Sequence, residues 1–523
     1  MIVLINPPGL KTFSGLNMHT PNPPLGLAYI AAALKQAGFQ YKVIDCSGEA
    51  LDSIRPYPAR PDFMTQGLSL EEAVQRVPHD ADIIGFSCNF STLWPITRML
   101  AEKIREHFPQ ALLILGGEHG TAVPEFSLRT SVMDLVALGE GEETVVEIVR
   151  AFREKRSLEN IPGTAIKTAS GEIRKNGLAK RIREIDDIPL PDWKAFPLEE
   201  YISRHQGNGV NMGRSMPLLA TRGCPYQCTF CSNPAMWTIR YIMRDPKKLV
   251  DEMEMHMKEY RVTNFDLQDL TAIVNRRWAI EFCKEIIDRG LNITWQLPSG
   301  TRSEVFDEEL AAILYKSGCH HLAFAPESGS PEVLRIVKKR VNLDHLLEAA
   351  RITVKHGFVL NCFMVIGLPS DNVHTLRQSM KFVRKLAVMG VHDVVVSKFV
   401  PYPGSELFIQ FQKEKKIQLD DEFFESPMDF YNEKSPSYCD AISSKRLYWT
   451  MISMFLNFYF ISVAMHPLRT IRITWNAVTK GQEETRYAKW LVDRLYVRRK
   501  WRQLHRDEAS TAAAENTSLS GAA

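Results

Sequence analysis

The sequence predicts an α/β protein built from a doubly wound parallel sheet, an incomplete six-strand parallel barrel and a mainly helical C-terminal region. Three observations lead to this prediction. Short apolar runs alternate with helical periods over residues 1–150, six apolar strands with helices between them recur over residues 211–405, and this alternation ends beyond residue 405. Strands and helices in regular succession are typical of parallel sheets covered by helices.

The first segment, residues 1–150, is predicted to be a Rossmann-like sheet. Its strands are expected at residues 2–5, 41–45, 83–87, 112–115 and 135–138, and its helices at residues 25–37 and 95–107 and from residue 142. Sheets of this kind bind ligands beyond the carboxyl ends of their strands. The candidate residues at those ends are Ser87, Gly116, Gly117, His119, Gly139 and Gly141. Glycines there either admit a large flat ligand or serve turn geometry alone.

Residues 151–210 are predicted to form a linker, because the pattern weakens there into polar, proline-containing sequence. Residues 211–405 then read as a (β/α)6 barrel of the TIM type, with strands at residues 216–221, 264–268, 293–297, 321–325, 359–366 and 393–399. Sites in such barrels lie at the carboxyl ends of the strands. Polar residues follow these strands: Asp266, Asp269, Gln296, Ser299, Glu327, Ser328, Ser397 and Lys398. Charged groups at the ends of apolar strands favour a polar ligand inside the barrel.

Three cysteines follow the first barrel strand with the spacing C-x3-C-x2-C: Cys224, Cys228 and Cys231. Three thiolates leave one iron of a cubane iron-sulfur cluster open, whereas a structural zinc site needs four ligands. The spacing is also that of one helix face. Gly223 and Pro225 instead favour a loop that leaves the strand.

This spacing, with Phe230 before the last cysteine, resembles the radical S-adenosylmethionine (SAM) superfamily. The resemblance implies a [4Fe-4S] cluster whose open iron holds SAM, which is cleaved to a 5′-deoxyadenosyl radical. Residues 325–330 resemble the family's fourth-strand motif and residues 365–369 its fifth-strand segment, which implies SAM contacts by Glu327, Ser328 and Gly367. Glu327 could instead cap the following helix. Arg302 could meet the SAM carboxylate or be a solvated arginine at a helix start.

The first segment, including residues 23–27 before its first helix, resembles the cobalamin-binding domain that precedes many radical SAM domains. The resemblance implies a cobalamin cofactor at the carboxyl-end residues given above. The family's D-x-H-x-x-G motif has no counterpart in residues 1–150, so His119 and His79 are candidates for the lower cobalt ligand only by elimination. We therefore expect cobalamin without a protein histidine below the metal.

Composition narrows the class of protein only moderately. A net charge of +3, from 64 basic and 61 acidic residues, gives no reason to expect a nucleic-acid partner. Nine cysteines in 523 residues, three of them in one loop, indicate reduced thiols rather than a disulfide framework. The N-terminus reads as a strand and not as a signal peptide. Cytoplasmic localisation is therefore expected.

The region 406–506 is predicted to be mainly helical. Residues 448–465 carry no formal charge and reach the lower edge of a membrane span. Alternatives are a buried or interface helix, a lid over an apolar substrate, and a peripheral membrane contact. Residues 486–506 read as a basic amphipathic helix that suits either an anionic membrane or solvent. Residues 507–523 are expected to be disordered.

The resemblances together imply a cobalamin-dependent radical SAM methyltransferase. It would add a methyl group to an unactivated carbon through a 5′-deoxyadenosyl radical and methylcobalamin. Relatives of the anaerobic magnesium-protoporphyrin ester cyclase imply instead cyclisation or oxidation without methyl transfer, and a non-catalytic iron-sulfur or cobalamin sensor is a more distant alternative. An external one-electron donor such as flavodoxin or ferredoxin is expected, with a small-molecule substrate that the C-terminal aromatic residues suggest is large and apolar. The sequence assigns no catalytic residue, substrate or oligomeric state.

Overall fold

The computed structural model describes residues 1–12, 21–429, 431–481, 483–485, 487–492, 494–495 and 498. The basic helix predicted for residues 486–506 lies largely outside them, and the tail predicted for residues 507–523 lies wholly outside them. The predicted α/β class is confirmed, because a doubly wound sheet, a six-strand parallel sheet and a helical region follow one another along the chain.

The strands of the first part of the chain form two sheets. In chain order they are β1 (Ile2–Asn6), β2 (Gly9–Thr12), β3 (Tyr41–Asp45), β4 (Ile54–Tyr57), β5 (Arg60–Gln66), β6 (Ile83–Ser87), β7 (Leu112–Gly116), β8 (Leu135–Ala137), β9 (Thr164–Lys167) and β10 (Ile173–Lys175). The main sheet has the order β10-β9-β8-β7-β6-β1-β3, with β3, β1, β6, β7 and β8 parallel. The hairpin β9-β10 extends this sheet from within the predicted linker. A small antiparallel sheet, β2-β5-β4, was not predicted.

Helices cover both faces of the main sheet. They are α1 (Leu25–Gln36), α2 (Leu70–Gln75), α3 (Trp94–His107), α4 (Glu118–Ala122), α5 (Pro124–Arg129) and α6 (Glu142–Arg153). Alternate residues of β1 enter opposite cores: Ile2 and Leu4 pack in one, and Val3 and Ile5 in the other. Burial on both faces explains why the strands of this sheet are apolar runs without alternation.

The connector packs back on the first sheet instead of crossing solvent. It contains α7 (Leu198–Ser203), and the Tyr201 hydroxyl donates to both carboxylate oxygens of Asp45, at 3.1 and 3.0 Å. Asp192 accepts from Lys35 of α1 at 3.0 Å. Trp193, predicted as a buried linker residue, is 2% exposed. The connector is therefore fixed on the first domain.

The second domain is a parallel sheet whose strand order follows the chain, as in the wall of a barrel. Its elements are β11 (Ser215–Leu218), β12 (Thr221–Arg222), α8 (Asn233–Trp237), β13 (Ile242–Met243), α9 (Pro246–Tyr260), β14 (Asn264–Leu267), α10 (Arg276–Asp288), β15 (Thr294–Thr301), α11 (Glu308–Lys316), β16 (Cys319–Glu327), α12 (Pro331–Ile336), α13 (Leu343–Lys355), β17 (Val359–Ile366), α14 (Val373–Met389) and β18 (Asp393–Lys398). The sheet order is β11-β14-β15-β16-β17-β18, and every pairing is parallel. The predicted set of six barrel strands is thus confirmed.

The C-terminal region is helical and packs on both domains. It comprises α15 (Glu406–Lys413), α16 (Asp421–Glu425), α17 (Ser444–Met465) and α18 (Pro467–Lys480). One face of α17 lies along α14 and β18 and buries Leu447, Met451, Met454 and Phe458. The segment predicted as either a buried helix or a membrane contact is therefore a helix with one face committed to the protein.

Candidate functional site

The three motif cysteines lie on a loop at the carboxyl end of the first barrel strand. This cysteine loop, residues 223–241, is closed at its base by the antiparallel pair β12 and β13. Asp269 fixes the start of the loop, because its carboxylate accepts from the Ala220 amide at 3.2 Å and the Thr221 hydroxyl at 2.5 Å. Burial raises the pKa of Asp269 to about 6. The polar residue predicted at the second strand thus positions the loop.

The backbone of the loop excludes the alternative of a single helix face. Gly223 has a φ of 85°, and a Cβ atom there would lie 2.1 Å from the Arg240 carbonyl oxygen. Helix α8 begins only at Asn233, after the last cysteine. The Cys231 amide donates to the Cys228 carbonyl at 3.1 Å, which turns the chain between these two residues. Glycine is required at this start because only it adopts the left-handed region without strain.

The thiols of Cys224, Cys228 and Cys231 are free and partly exposed. Burial raises the pKa of each, to about 12 for Cys231, and the neighbouring Lys339 acts against the shift at the first two. In the described residues no group of three or more His, Cys, Asp or Glu side chains converges on one point that could hold a single metal ion. A cubane cluster distributes its thiolates over separate irons, so three such ligands need not converge.

Glu327 lies at the end of β16 in a strained conformation. Its φ of 64° is in the left-handed region, which is costly for a residue with a side chain. The side chain is buried and accepts from Lys339 Nζ at 2.9 Å. The residue before the first turn of α12 is Ser330 and not Glu327, and the Ser330 side chain makes no capping hydrogen bond. Glu327 therefore forms a buried ion pair beside the cysteine loop, and the alternative of a helix cap is wrong.

Arg302 is buried and holds the cysteine loop against the third barrel strand. Its guanidinium carbon lies 3.8 Å from the centre of the Tyr226 ring, and the group pairs with Glu304 at 2.6 Å. Stacking of this kind is available to arginine because its guanidinium is planar and weakly hydrated. The expectation of a solvated arginine at a helix start is wrong.

The other predicted barrel residues make local packing and turn contacts. Phe230 packs against an apolar cluster behind the loop. The Ser328 hydroxyl lies 3.3 Å from that of Ser379. The Gly367 amide donates to Asp371 at 2.9 Å, and a Cβ atom on Gly367 would meet Leu447 of α17 at 2.6 Å. These are contacts within the protein, and the SAM contacts expected of Ser328 and Gly367 stay predictions.

The carboxyl edge of the first sheet carries the predicted glycines. Gly117 has a φ of 101°, and a Cβ atom there would lie 2.6 Å from the Cys88 carbonyl oxygen; Gly139 has a φ of 83°. A Cβ atom on Gly116 would meet only the Phe86 carbonyl oxygen, at 3.8 Å, so its face of the edge is open. Gly141 faces α1, where a Cβ atom would lie 2.8 Å from Ile30. Some of these glycines therefore serve turns, while Gly116 leaves space above the edge.

Two further residues of this edge differ in exposure. Ser87, the last residue of β6, is partly exposed. Phe90, three residues later, is 65% exposed. Both residues lie at the carboxyl edge of the sheet, where sheets of this kind bind ligands.

The two candidate histidines do not face this edge. His119 is completely buried, stacks on Trp94 at 4.6 Å between ring centres, and lies 3.0 Å from the Ser91 hydroxyl and 3.3 Å from that of Ser127. Burial lowers its pKa to about 3. His79 is exposed on the loop before β6, at the amino edge of the sheet. Both positions agree with the expectation that neither histidine ligates cobalt.

The cysteine loop and the carboxyl edge of the first sheet contact each other directly. Arg222 donates to Glu140 at 3.1 Å and to Glu142 at 2.5 Å, and all three side chains are buried. The Ser232 hydroxyl, next to Cys231, donates to Glu118. The two predicted sites therefore face each other across the domain boundary.

Two family profiles match the chain, and each coincides with one of these facing sites. The B12 binding domain matches residues 14–149, and the Radical SAM superfamily matches residues 218–383. The chain is a cobalamin-dependent radical SAM enzyme. Enzymes of this family use a [4Fe-4S] cluster, SAM and cobalamin.

Relatives of this radical SAM enzyme include both methyltransferases and cyclases. It is 27% identical to the "Uncharacterized methyltransferase PH0819" of Pyrococcus horikoshii, over 78% of this chain and 82% of that protein. It is 27% identical to cytidylyl-2-hydroxyethylphosphonate methyltransferase of Streptomyces wedmorensis, over 73% and 77%. It is 28% identical to the anaerobic magnesium-protoporphyrin IX monomethyl ester cyclase of Rubrivivax gelatinosus, over 74% and 66%. Sequence identity thus does not separate the two activities.

Solved structures of the same architecture match nearly the whole enzyme. The methyltransferase TsrM from Kitasatospora setae, with cobalamin and a [4Fe-4S] cluster bound, matches with a TM-score of 0.62 at 16% identity over 88% of each chain. The enzyme OxsB, with aqua-cobalamin and S-adenosylmethionine bound, matches with a TM-score of 0.63 at 14% identity over 98% of this chain and 81% of that one. At these identities the likeness shows the fold.

The side chains of this radical SAM enzyme fit the three cofactors. The other six cysteines, Cys46, Cys88, Cys283, Cys319, Cys362 and Cys439, are all buried elsewhere, so the loop offers three thiolates and leaves one iron of a cubane open. The buried Glu327 carboxylate beside the loop suits the amino group or a ribose hydroxyl of SAM. The open face at Gly116 and the uncovered Phe90 suit cobalamin.

Sequence reasoning missed the buried cations of the two sites. Arg222 and Lys339 are buried cations whose partners, Glu140 and Glu327, lie 82 and 12 residues away in the chain. Glu118 was passed over as part of a glycine-rich turn. The one local sign was that two acidic residues alternate with two glycines over residues 139–142.

Proposed function

We propose that this enzyme transfers a methyl group to an unactivated carbon of a small-molecule substrate. The observation that carries the proposal is the direct contact between the cysteine loop and the carboxyl edge of the first sheet, through Arg222 to Glu142 and Ser232 to Glu118. A substrate held at this boundary lies next to both sites at once. The named methyltransferases among the relatives support the same assignment.

When bound, the cluster and SAM supply a radical that takes hydrogen from carbon, and cobalamin supplies the methyl group. The chain's own residues have three tasks. Cys224, Cys228 and Cys231 hold the cluster, and Glu327 orients SAM as a hydrogen-bond acceptor. The buried pair of Arg222 and Glu142 closes the domain boundary, which keeps water from the radical and the substrate.

Methyl-labelled SAM tests this proposal. We expect reconstituted, anaerobically reduced enzyme, mixed with a small-molecule extract of its source cells, to form 5′-deoxyadenosine and to place the label in one extracted compound. Cys228→Ala should abolish both. Cys283→Ala, at a buried thiol outside the loop, should abolish neither.

The second candidate function is cyclisation or oxidation, favoured by the cyclase relatives at similar identity. It predicts a product of the same incubation that has lost hydrogen and carries no label. Absence of 5′-deoxyadenosine from protein with a complete cluster would instead favour a sensor. Each outcome is read from the mass spectrum of one reaction mixture.

We further propose that an acidic one-electron donor of the flavodoxin or ferredoxin class docks beside the cysteine loop. A cleft of about 610 Å³ lies there between residues 225–227 and the segment that follows α12. Its cationic lining residues are Arg335, Lys338, Lys339 and Arg340. The Cys228 sulfur lies 4.0 Å from the Lys338 carbonyl oxygen, so a donor in the cleft would be close to a cluster ligand. Complementary charge raises the rate at which such partners meet.

Charge reversal tests the donor surface. Arg335→Glu with Arg340→Glu should slow reduction of the cluster by flavodoxin about tenfold at low salt and flatten its salt dependence, because steering is electrostatic. Reduction by dithionite should not change. Lys248→Glu, at an exposed lysine on α9, is the matched control. An unchanged flavodoxin rate in the double variant would contradict the assignment.

A further inference from the structure

Helices α17 and α18 expose an unusual concentration of large apolar side chains. Of the nineteen such side chains in the described residues, nine lie between residues 449 and 478. They are Trp449, Leu456, Phe460, Val463, Met465, Leu468, Ile471, Trp475 and Val478. Leu468 is 83% exposed and Phe460 77%. Isolated apolar residues on a surface are ordinary, whereas a contiguous set marks an interaction site.

The exposed residues follow helical periodicity. On α18 they are Leu468, Ile471, Trp475 and Val478, spaced three, four and three residues apart, which is one face of a helix. The opposite face buries Ile473 and Ala477. Because α18 begins two residues after α17 ends and the two helices pack on each other, the exposed stripes adjoin. We call this surface, residues 449–478, the apolar helix surface.

Helix α17 is long and apolar enough to cross a membrane by length and composition alone, with 22 residues and a mean hydropathy of 1.4 in its most apolar window. The packing of α17 on the barrel argues against a position across a membrane. Met451, Met454 and Phe458 are fully buried against the barrel. The same face carries polar contacts, since Arg384 of α14 donates to Asn457 at 2.9 Å. A helix with one face committed to a protein can meet lipid only with the other.

The two helices that form the apolar helix surface carry charges of one sign. Residues 444–480 contain no Asp or Glu, although the whole chain is nearly balanced at 64 basic and 61 acidic residues. The basic residues of this stretch are Lys445, Arg446, Arg469, Arg472 and Lys480. Lys445 and Arg472 pair with Glu433 and Glu484 at 3.8 and 3.2 Å, but these are exposed pairs, which contribute little. An apolar surface on helices that themselves carry cations and no anions matches an anionic lipid surface.

We propose that the apolar helix surface docks the enzyme on the face of a membrane that contains anionic lipids. In this arrangement α17 and α18 lie in the plane of the interface, with Leu468, Ile471 and Trp475 among the acyl chains and the cations at the headgroups. A second copy of this chain fits less well, because two such surfaces would bring like charges together. The surface does not depend on which reaction the enzyme catalyses.

Sedimentation with vesicles tests the proposal on the full chain with its cluster reconstituted. We expect binding to vesicles of phosphatidylcholine and phosphatidylglycerol in equal parts, weaker binding to phosphatidylcholine alone, and a loss of binding as salt is raised. Leu468→Ser with Trp475→Ser should lower the affinity at least about tenfold, since each side chain loses its burial in lipid. Leu178→Ser, at an exposed leucine outside the surface, should leave it unchanged.

The charge contribution is tested separately. Lys445→Glu with Arg472→Glu should weaken binding to the mixed vesicles and leave binding to phosphatidylcholine alone unchanged. Both pairs of substitutions are at exposed positions, so circular dichroism and iron content should match those of the unaltered protein. Failure to bind either vesicle would overturn the proposal. So would a dimer in sedimentation velocity that the Leu468 and Trp475 substitutions abolish, because a second copy would then cover the surface.

Discussion

Arg222 Nη2 donates to Glu142 Oε1 at 2.5 Å, and both side chains are buried where the two domains meet. Arg222 lies two residues before the first cysteine of the loop, and Glu142 begins the helix that follows the carboxyl edge of the first sheet. The same guanidinium also reaches Glu140 at 3.1 Å. The position of the cysteine loop relative to the first domain thus depends on this buried pair.

Removing the arginine should loosen the boundary. Arg222→Met leaves the buried Glu142 carboxylate without its partner, while Glu140 keeps Arg181 at 2.7 Å, and we expect a loss of about 3–5 kcal/mol in the free energy of unfolding of the boundary. Hydrogen exchange of amides in α6 and the cysteine loop measures it. Arg174→Met breaks an exposed pair with Glu159 and should cost less than about 1 kcal/mol. Equal losses in the two variants would contradict the assigned role.

Loss of a loop cysteine should remove the cluster. Cys231→Ser is expected to lower cluster content at least about tenfold. Loss of a residue that only supports a metal ligand already lowers metal affinity by about that factor, and Cys231 is proposed as a ligand itself. Iron and sulfide assays on anaerobically reconstituted protein measure it. Cys362→Ser replaces a buried thiol on β17 and should retain the cluster. A complete cluster in the Cys231 variant would mean that this thiol is no ligand.

Glu327 should matter more for SAM than for iron. Glu327→Gln removes a charged acceptor worth about 1.5–3 kcal/mol, so we expect the affinity for SAM to fall by about tenfold or more while iron content stays the same. Equilibrium dialysis with reconstituted enzyme measures this. The matched control is Glu304→Gln, which removes the partner of Arg302 instead. A parallel loss of iron would show that Glu327 acts on the loop through Lys339.

An alanine at residue 367 should displace α17. Gly367 has a φ of 80°, and the added Cβ atom would lie 2.6 Å from Leu447 Cδ1, so we expect a loss of about 1–3 kcal/mol from overpacking beyond the backbone cost. Hydrogen exchange along α17 reports it. Gly171 has nearly the same φ, 83°, and a Cβ atom there would have no neighbour within 4 Å. Gly171→Ala therefore measures the backbone cost alone. Leu447→Ala should relieve the clash in the double variant, and a lack of relief would contradict the geometry.

The buried histidine predicts a pH dependence of the first domain. His119 has its pKa lowered to about 3, below the unfolded value of about 6.5, so the unfolded state binds more protons between these values. Stability is therefore lost as pH falls through 6.5. Between pH 7.5 and 5.5 the wild type should lose about 1.4 kcal/mol relative to His119→Gln. The opening free energy of α4 amides measures this, and parallel profiles would show that His119 is protonated in the fold.

Local pattern was sufficient to predict the outline of the fold and to propose the cluster ligands. The alternation of strand and helix predicts both parallel sheets, because a helix between two consecutive strands lets them pair in parallel. The cysteine spacing with Gly223 and Pro225 predicts a loop with three thiolates, since ligands and turn lie within nine residues. These features are properties of neighbouring residues, and a sequence read alone contains them.

Tertiary structure decided how the site is assembled. Arg222 meets Glu142 across 80 residues, and Leu447 packs on Gly367 across a comparable distance. Ser328 and Gly367 form hydrogen bonds to Ser379 and Asp371, and the His119 ring lies between two serine hydroxyls. A charge or polar group that is buried without a hydrogen-bond partner costs free energy. Such contacts are therefore decided only when the domains pack and each buried group meets its partner. The sequence alone determined the fold class and the three thiols proposed as cluster ligands, while packing determined what surrounds them.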